Sequence, residues 1–289
     1  MKRSVCLLLG VFMLAGFSVK TAKAQDLKTE VYVKEHIPFK KPVPYPYVRE
    51  ADVLWAKTVW RIIDLREKQN LPLYYPVNPI GNRMSLIDLL LLGIDNEGVT
   101  AYNPDDPYNE FKVQMTRDEV DFNLDAGMDT TMVMNPNTNE LEPQVIENER
   151  KSDEVKQYLV KEKWFFDKQH SVMKVRLVGL CPIRIYNRID EATGLPSEEI
   201  IKKKVFWIYY PEVRPLLARY EIYNRYNDAQ RISFEDFFWQ RRFSSYIYAE
   251  SNVYNNRLIQ DYSVGLETLL EAEKIKNWLF EMEHDLWEF

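Results

Sequence analysis

The stretch from Trp164 to Asn224 decides the fold; it runs WFFDKQHSVMKVRLVGLCPIRIYNRIDEATGLPSEEIIKKKVFWIYYPEVRPLLARYEIYN. Within it, Val172–Val178 alternates apolar and charged side chains, which is typical of a strand with one buried face. Val205–Tyr210 is β-branched and aromatic throughout, which indicates a strand covered on both faces. These patterns predict one antiparallel meander, with strands at Trp164–Phe166, Val172–Leu180, Ile183–Ile189 and Val205–Tyr210.

Helical patterns on both sides of this stretch predict an α+β fold, in which helices flank the sheet. The first predicted helix is Arg49–Asn70, because Trp55, Val59 and Ile62 recur at helical spacing. Trp55 and Trp60 cannot share one face of such a helix. One of the two is therefore a candidate contact for a neighbouring element or another chain.

Further helices follow from capping residues and apolar spacing. The last of them ends in the aromatic residues Trp287 and Phe289, which are expected to dock and are candidate interface residues. The predicted helices are Leu86–Leu92, capped by Ser85 and closed by Gly93, a short one after the capping box Thr116–Glu119, one capped by Ser233, and one from Gly265 to Glu288. A short strand is predicted at Val99–Tyr102.

The polar segment Met132–Glu149 contains Pro136 and Pro143 and no helical or strand pattern. It is predicted to be a mobile loop or a boundary that divides the globular region, residues 49–289, into two lobes near residues 132–150.

The N-terminus has the pattern of a signal peptide, residues 1–24, with cleavage expected between Ala24 and Gln25. Its apolar run of about 13 residues is too short to cross a membrane. Removal of residues 1–24 takes away four basic residues and no acidic one, so the formal charge falls from −6 to −10. This acidic balance argues against nucleic acid as a partner. One cysteine, Cys181, remains, so no intramolecular disulfide is possible.

Residues 25–48 are predicted to form an extended, Pro-rich arm, because each proline fixes φ and favours polyproline II in the residue before it. An exposed linker is one interpretation. An arm that lies along a partner or a neighbouring subunit is favoured, because solvated linkers carry few aromatic residues. The candidate interface residues are Pro38, Phe39, Pro42, Pro44, Tyr45, Pro46 and Tyr47.

No motif for catalysis or cofactor binding is present, and no metal site is predicted. The segment Asp121–Gly127 places the potential ligands Asp121, Asn123 and Asp125 at the first, third and fifth positions of a calcium loop. It carries Ala126 where that loop needs glycine and Met132 where it needs glutamate, so it indicates an acidic turn. His36, His170 and His284 have no second ligand at zinc spacing.

Several ordered blocks resemble the GldN family of gliding-motility proteins, also called PorN. The resemblance covers nearly the whole chain after the signal peptide, and residues 125–149 are its least similar part. The blocks are Tyr47–Val53, Ile63–Lys68, Leu71–Pro76, Phe206–Pro211, Arg214–Ala218, Arg231–Asp236, Phe243–Ile247 and Asp285–Phe289.

The resemblance implies a non-enzymatic structural subunit of the periplasmic ring of the type IX protein secretion system of Bacteroidetes, and of the gliding machinery. It implies a place at the inner face of the outer membrane, with copies of itself and a GldK- or PorK-like lipoprotein as partners. The ring is expected to meet the periplasmic region of the inner-membrane motor protein GldM, or PorM. The residues leave one alternative open: a periplasmic glycan-binding protein or hydrolase with an aromatic-lined cleft.

Overall fold

The computed structural model describes residues 39–80, 83–105, 110–134, 141–189, 196–224, 226–227 and 229–285. Ala24 and Gln25 of the expected cleavage site lie outside the described residues, as do Pro38, Trp287 and Phe289. The expectations for these five residues stay predictions.

The strands, in chain order, are β1 (Val53–Asp64), β2 (Ala101–Tyr102), β3 (Gly127–Met134), β4 (Leu141–Asn148), β5 (Val155–Asp167), β6 (Val172–Ile189), β7 (Pro196–Lys204), β8 (Trp207–Tyr209), β9 (Glu221–Ile222), β10 (Ile232–Ser233) and β11 (Tyr246–Glu250). The helices are α1 (Leu71–Tyr74), α2 (Leu86–Asn96), α3 (Arg117–Asn123), α4 (Tyr210–Arg219), α5 (Phe234–Trp239) and α6 (Leu266–Asp285). This is the α+β fold that the sequence predicts.

A seven-stranded sheet forms the centre of the fold, in the order β11-β1-β5-β6-β8-β2, with β7 also paired to β6. Its neighbouring strands are antiparallel, so the predicted antiparallel sheet is confirmed. Two details differ from the prediction. The two segments on either side of Cys181 form the single strand β6, and Tyr210 begins helix α4 instead of ending a strand.

The predicted helix Arg49–Asn70 is wrong, because most of this range is strand β1, which pairs with both β5 and β11. The last six residues of β1 are all buried. A strand buried on both faces loses the alternation by which strands are recognised, and Trp55, Val59 and Ile62 match helical spacing by coincidence. The β-branched and aromatic composition of the segment is the signal that favours a strand.

The capped helices form as predicted. Ser85 accepts a hydrogen bond from the Asp88 amide, and complete capping boxes join Thr116 to Glu119 and Ser233 to Asp236. Helix α2 continues past Gly93, which was expected to end it. A Cβ at Gly93 would lie 2.6 Å from the Leu216 side chain, so this glycine lets α2 approach α4 closely.

Most of the polar segment predicted as a loop forms the hairpin β3–β4, which pairs Gly127 with Asn148 and continues to Met134 and Leu141. The loop prediction is therefore wrong for these two strands. The division of the globular region near residues 132–150 stays a prediction.

The core consists of buried clusters on the two faces of the sheet. The main cluster joins the sheet to α2, α4 and α5. On β1, Val59 packs under α6, whereas Trp60 and Ile62 belong to a cluster that also contains Trp207. Among the described residues, none of the helices is both apolar and long enough for a membrane span.

Candidate functional site

Residues 39–48 form the strap, a segment that lies across the body of the same chain and contains no helix or strand after the 3₁₀ residue Phe39. Pro42, Tyr45 and Val48 are half-buried, and the residues between them are exposed. A period of three residues is that of polyproline II, which prolines favour because they fix φ. The strap therefore has an inner face, Pro42, Tyr45 and Val48. Its outer face consists of the exposed residues between them and of Phe39, which lies in a 3₁₀ turn at the N-terminal end and is exposed.

The inner face is anchored by Tyr45. Its ring stacks on the Trp239 ring, with centroids 5.6 Å apart and an angle of 24° between the planes. The Arg214 guanidinium lies 4.0 Å from the Tyr45 centroid, and that of Arg176 lies 5.0 Å from it. Burial raises the pKa of the Tyr45 hydroxyl, and the charge of Arg214 offsets part of this shift. The Tyr45 ring thus binds between an indole and two cations.

Polar contacts fix the register of the strap on the body. Arg214 Nη2 donates to the Val43 carbonyl at 2.6 Å, and Arg176 Nη2 donates to the Pro46 carbonyl at 2.5 Å. Lys40 forms an ion pair with Asp236. Because these donors and acceptors are spaced along the strap, only one alignment satisfies all of them.

The body residues that hold the strap form a cleft between β6, α4 and α5. We call Arg176, Tyr210, Arg214, Glu235, Asp236 and Trp239 the strap cleft. Its floor is the buried carboxylate of Glu235, which accepts from Tyr210 Oη at 2.6 Å and from Arg214 Nε at 2.8 Å. Burial, together with the Glu235 charge, raises the pKa of Tyr210.

The sequence missed most of this cleft. Its residues are separated by up to about sixty positions, and only tertiary packing brings them together. One signal was available: Tyr210 and Arg214 are four residues apart at the start of a segment that is helical, so they share a face. Nothing comparable pointed to Arg176 or Trp239.

The outer face of the strap presents large apolar side chains to solvent. Phe39 is 83% exposed, Val43 is 65% exposed and Tyr47 is 89% exposed, and Leu54 nearby is 64% exposed. Pro44 and Pro46 are also exposed, whereas Pro42 is half-buried. Several large exposed apolar groups on one short stretch of chain are typical of protein-binding surfaces.

Trp55 and Trp60, predicted as candidate contacts, both lie on β1 and make contacts inside the chain. Trp60 is buried and donates through Nε1 to Glu110 at 2.8 Å. Trp55 lies on the opposite face, where its ring is 5.9 Å from that of Trp278 in α6. Both indoles therefore stabilise the fold.

The two acids considered for calcium form ion pairs within the fold, whereas His36 lies outside the described residues. Asp121 pairs with Arg150 at 2.6 Å, and Asp125 pairs with Lys151 at 2.5 Å. Within the described ranges, no cluster of three His, Cys, Asp or Glu side chains is suited to a metal ion. Cys181 is buried, and burial raises the pKa of its thiol to about 12, so the thiol stays protonated at neutral pH.

A glycan site would combine aromatic residues with converging carboxylates. A groove beside α6 places Trp278 next to Glu250, Glu273 and Glu281, whereas two other grooves hold the two kinds of residue apart. A groove of about 880 Å³ is lined by Asp88, Asp95, Asp118, Asp121 and Arg150, and none of its described lining residues is aromatic. The aromatic cavity, about 280 Å³, lies beside Tyr45 and is lined by Tyr210, Phe238 and Trp239 together with cations.

A family model described as "Gliding motility associated protein GldN" matches residues 48–288, which is most of the chain. The match begins at the last residue of the strap and includes every residue of the strap cleft. A search of curated proteins found no match. The extent of the family match shows that this chain belongs to the GldN family of gliding motility associated proteins.

Proposed function

We propose that the protein is a non-enzymatic structural subunit of the periplasmic ring of the type IX secretion system. Membership of the GldN family links the chain to gliding motility and to this secretion system. The proposal includes the ring, its lipoprotein partner of the GldK or PorK type and the contact with GldM or PorM. It also includes the location of the ring, in the periplasm at the inner face of the outer membrane.

The observation that carries the proposal is the outer face of the strap. The inner face of the strap is bound to the strap cleft. This contact holds the side chains of Phe39, Val43 and Tyr47 toward solvent in a fixed position. A partner that covers these side chains gains apolar burial without having to order the segment first, because the cleft has already ordered it. Large, preorganised aromatic groups are the usual anchors of protein interfaces.

The test separates binding by the outer face from binding by the inner face. Deletion of residues 26–48 would remove both faces and expose the cleft. The double variant Phe39→Glu/Tyr47→Glu changes the outer face alone. We expect it to lose most of the lipoprotein partner and of the high-mass assembly when it is purified from cell envelopes, while its melting temperature stays unchanged.

The matched control is Val253→Glu/Tyr254→Glu, which adds the same charges at side chains that are 90% and 69% exposed elsewhere on the body. This control should assemble normally. Recovery of the partner at wild-type yield with the strap variant would contradict a role of the strap in assembly.

A further inference from the structure

We propose that the strap is exchanged between copies, so that residues 39–48 of one subunit occupy the strap cleft of the next subunit. The proposal rests on the assembly proposed above and names the contact that joins neighbouring copies. Three features support it: the short connection between the strap and the body, the contacts within the body that form the floor of the cleft, and the length of the strap.

The C-terminal end of the strap joins the body through a short connection. A single 3₁₀ turn, Glu50–Asp52, connects it to β1, which begins at Val53. The hydrogen bonds that hold the strap come from the side chains of Arg176, Arg214 and Lys40. Departure of the strap therefore breaks no pairing of the central sheet.

The floor of the cleft is held by contacts within the body. Glu235 bonds both Tyr210 and Arg214, and all three belong to the body. Arg214 is thus held in place by a buried ion pair, at 2.7 Å, whether or not Val43 is bound. A preformed, aromatic and cationic cleft of this kind accepts a polyproline II segment from any chain that presents one.

The reach of the strap suffices for a neighbouring copy. The nine residues after Phe39 span about 28 Å in polyproline II, which is enough to cross the boundary between two copies that stand side by side. A strap bound in a second copy makes the same contacts as one bound in its own. The choice then depends on the local concentration of clefts, which rises when copies stand side by side.

The strap and the cleft are different surfaces, so the exchange is head-to-tail. Contacts of this type repeat from copy to copy and close into a ring if the rotation between copies allows it. The exchange therefore supplies the head-to-tail contact between neighbouring copies that a ring needs. It leaves the outer face of each strap free for a different partner.

The ion pair of Lys40 and Asp236 provides the test, because a carbodiimide joins a lysine to a carboxylate that it touches. Cells would co-express two chains, Lys40→Met and Asp236→Asn, as their only copies. A chain of the first kind keeps an intact cleft, and a chain of the second kind keeps an intact strap. A bond between Lys40 and Asp236 can then form only between two chains.

After cross-linking of the assembled fraction, we expect a covalent dimer whose linked peptides contain Lys40 and Asp236. Cells that make either variant alone should give no such peptide. The pair of Lys57 and Glu250, 2.7 Å apart within the body, is the internal control, and its link should appear at monomer mass in every sample.

Two results together would overturn exchange. The co-expressed pair would give no Lys40–Asp236 link, and the wild-type chain from the same high-mass fraction would give that link in a product of monomer mass. The ring proposal would survive this result, whereas a lack of any high-mass fraction would count against both. If either variant fails to accumulate, wild-type chains labelled with ¹⁴N and ¹⁵N replace them. Linked peptides that mix the two isotopes support exchange, and their absence overturns it.

Discussion

The strap and helix α6 both lie on the surface of the body, but they are held in different ways. Helix α6 buries a narrow apolar stripe, Ala272, Ile275 and Leu279. The strap is held by stacking, by arginine side chains and by one ion pair. Apolar burial does not depend on direction, whereas the contacts of the strap specify one register. This difference indicates that α6 is a permanent part of the fold, whereas the strap is bound to the body in the way that a separate peptide would be.

The largest effect is expected at the floor of the strap cleft. Arg214→Met leaves the buried Glu235 carboxylate without its cation and also removes a donor to the strap. Loss of one partner of a buried ion pair costs about 3–5 kcal/mol. Urea unfolding should show this loss in the free energy of unfolding.

The control for this change is Arg219→Met on the same helix. Arg219 pairs with Glu97 where both side chains are partly exposed, so the loss should stay below about 1 kcal/mol. Equal losses in the two variants would mean that the floor of the cleft contributes no more than a surface ion pair.

The second prediction concerns the stripe that holds α6. Leu279→Ala removes buried methyl groups from the cluster with Val59 and Ile275 and should cost about 2–4 kcal/mol. Leu270→Ala, on the exposed side of the same helix, should change the free energy of unfolding by less than about 0.5 kcal/mol. If the two variants unfold alike in urea, α6 is not held by this stripe.

A smaller effect is expected on the strap itself. Tyr45→Ala removes the stack on Trp239 and the cation contacts, which together contribute about 1–2 kcal/mol. The strap should then become sensitive to proteases, and the tryptophan fluorescence should shift because Trp239 becomes more exposed.

Tyr47→Ala, two residues further along the strap, is the matched control, because Tyr47 is on the outer face. It should leave both protease resistance and fluorescence unchanged. Equal protease sensitivity of the two variants would show that the division into inner and outer faces is wrong.

The parts of the fold that depend on local pattern were predictable from the sequence. Ser85, Thr116 and Ser233 start helices because their side chains bond amides three residues on. The alternation of apolar and charged residues in β6 predicted a strand of the sheet, and the spacing of apolar residues in α6 predicted the last helix. Strand β1 was not predictable by period, since burial on both faces removes the period.

The candidate site was only half predictable, for a related reason. The prolines and aromatic residues of the strap are visible in the sequence, and they indicate a segment that binds something. The described part of the strap binds a surface formed by Arg176, Arg214 and Trp239, which come from three separate elements. A segment of sequence shows its own conformational preference but not the surface that packing builds for it.

The smallest effect is the pH dependence of the strap's ion pair. Burial raises the pKa of Asp236, but hydrogen bonds from Lys40 and Ser233 outweigh it and hold the pKa below the usual value. A carboxyl whose pKa is lowered by folding stabilises the folded state above the unfolded pKa, about 4. That stability is lost as the pH falls through the folded pKa. Wild-type protein should therefore exceed Asp236→Asn in free energy of unfolding by less than about 1 kcal/mol at pH 7, and the difference should shrink below pH 4. In a Lys40→Met background the pH dependence should be weaker, and an undiminished dependence there would assign it to the Ser233 cap instead of the strap.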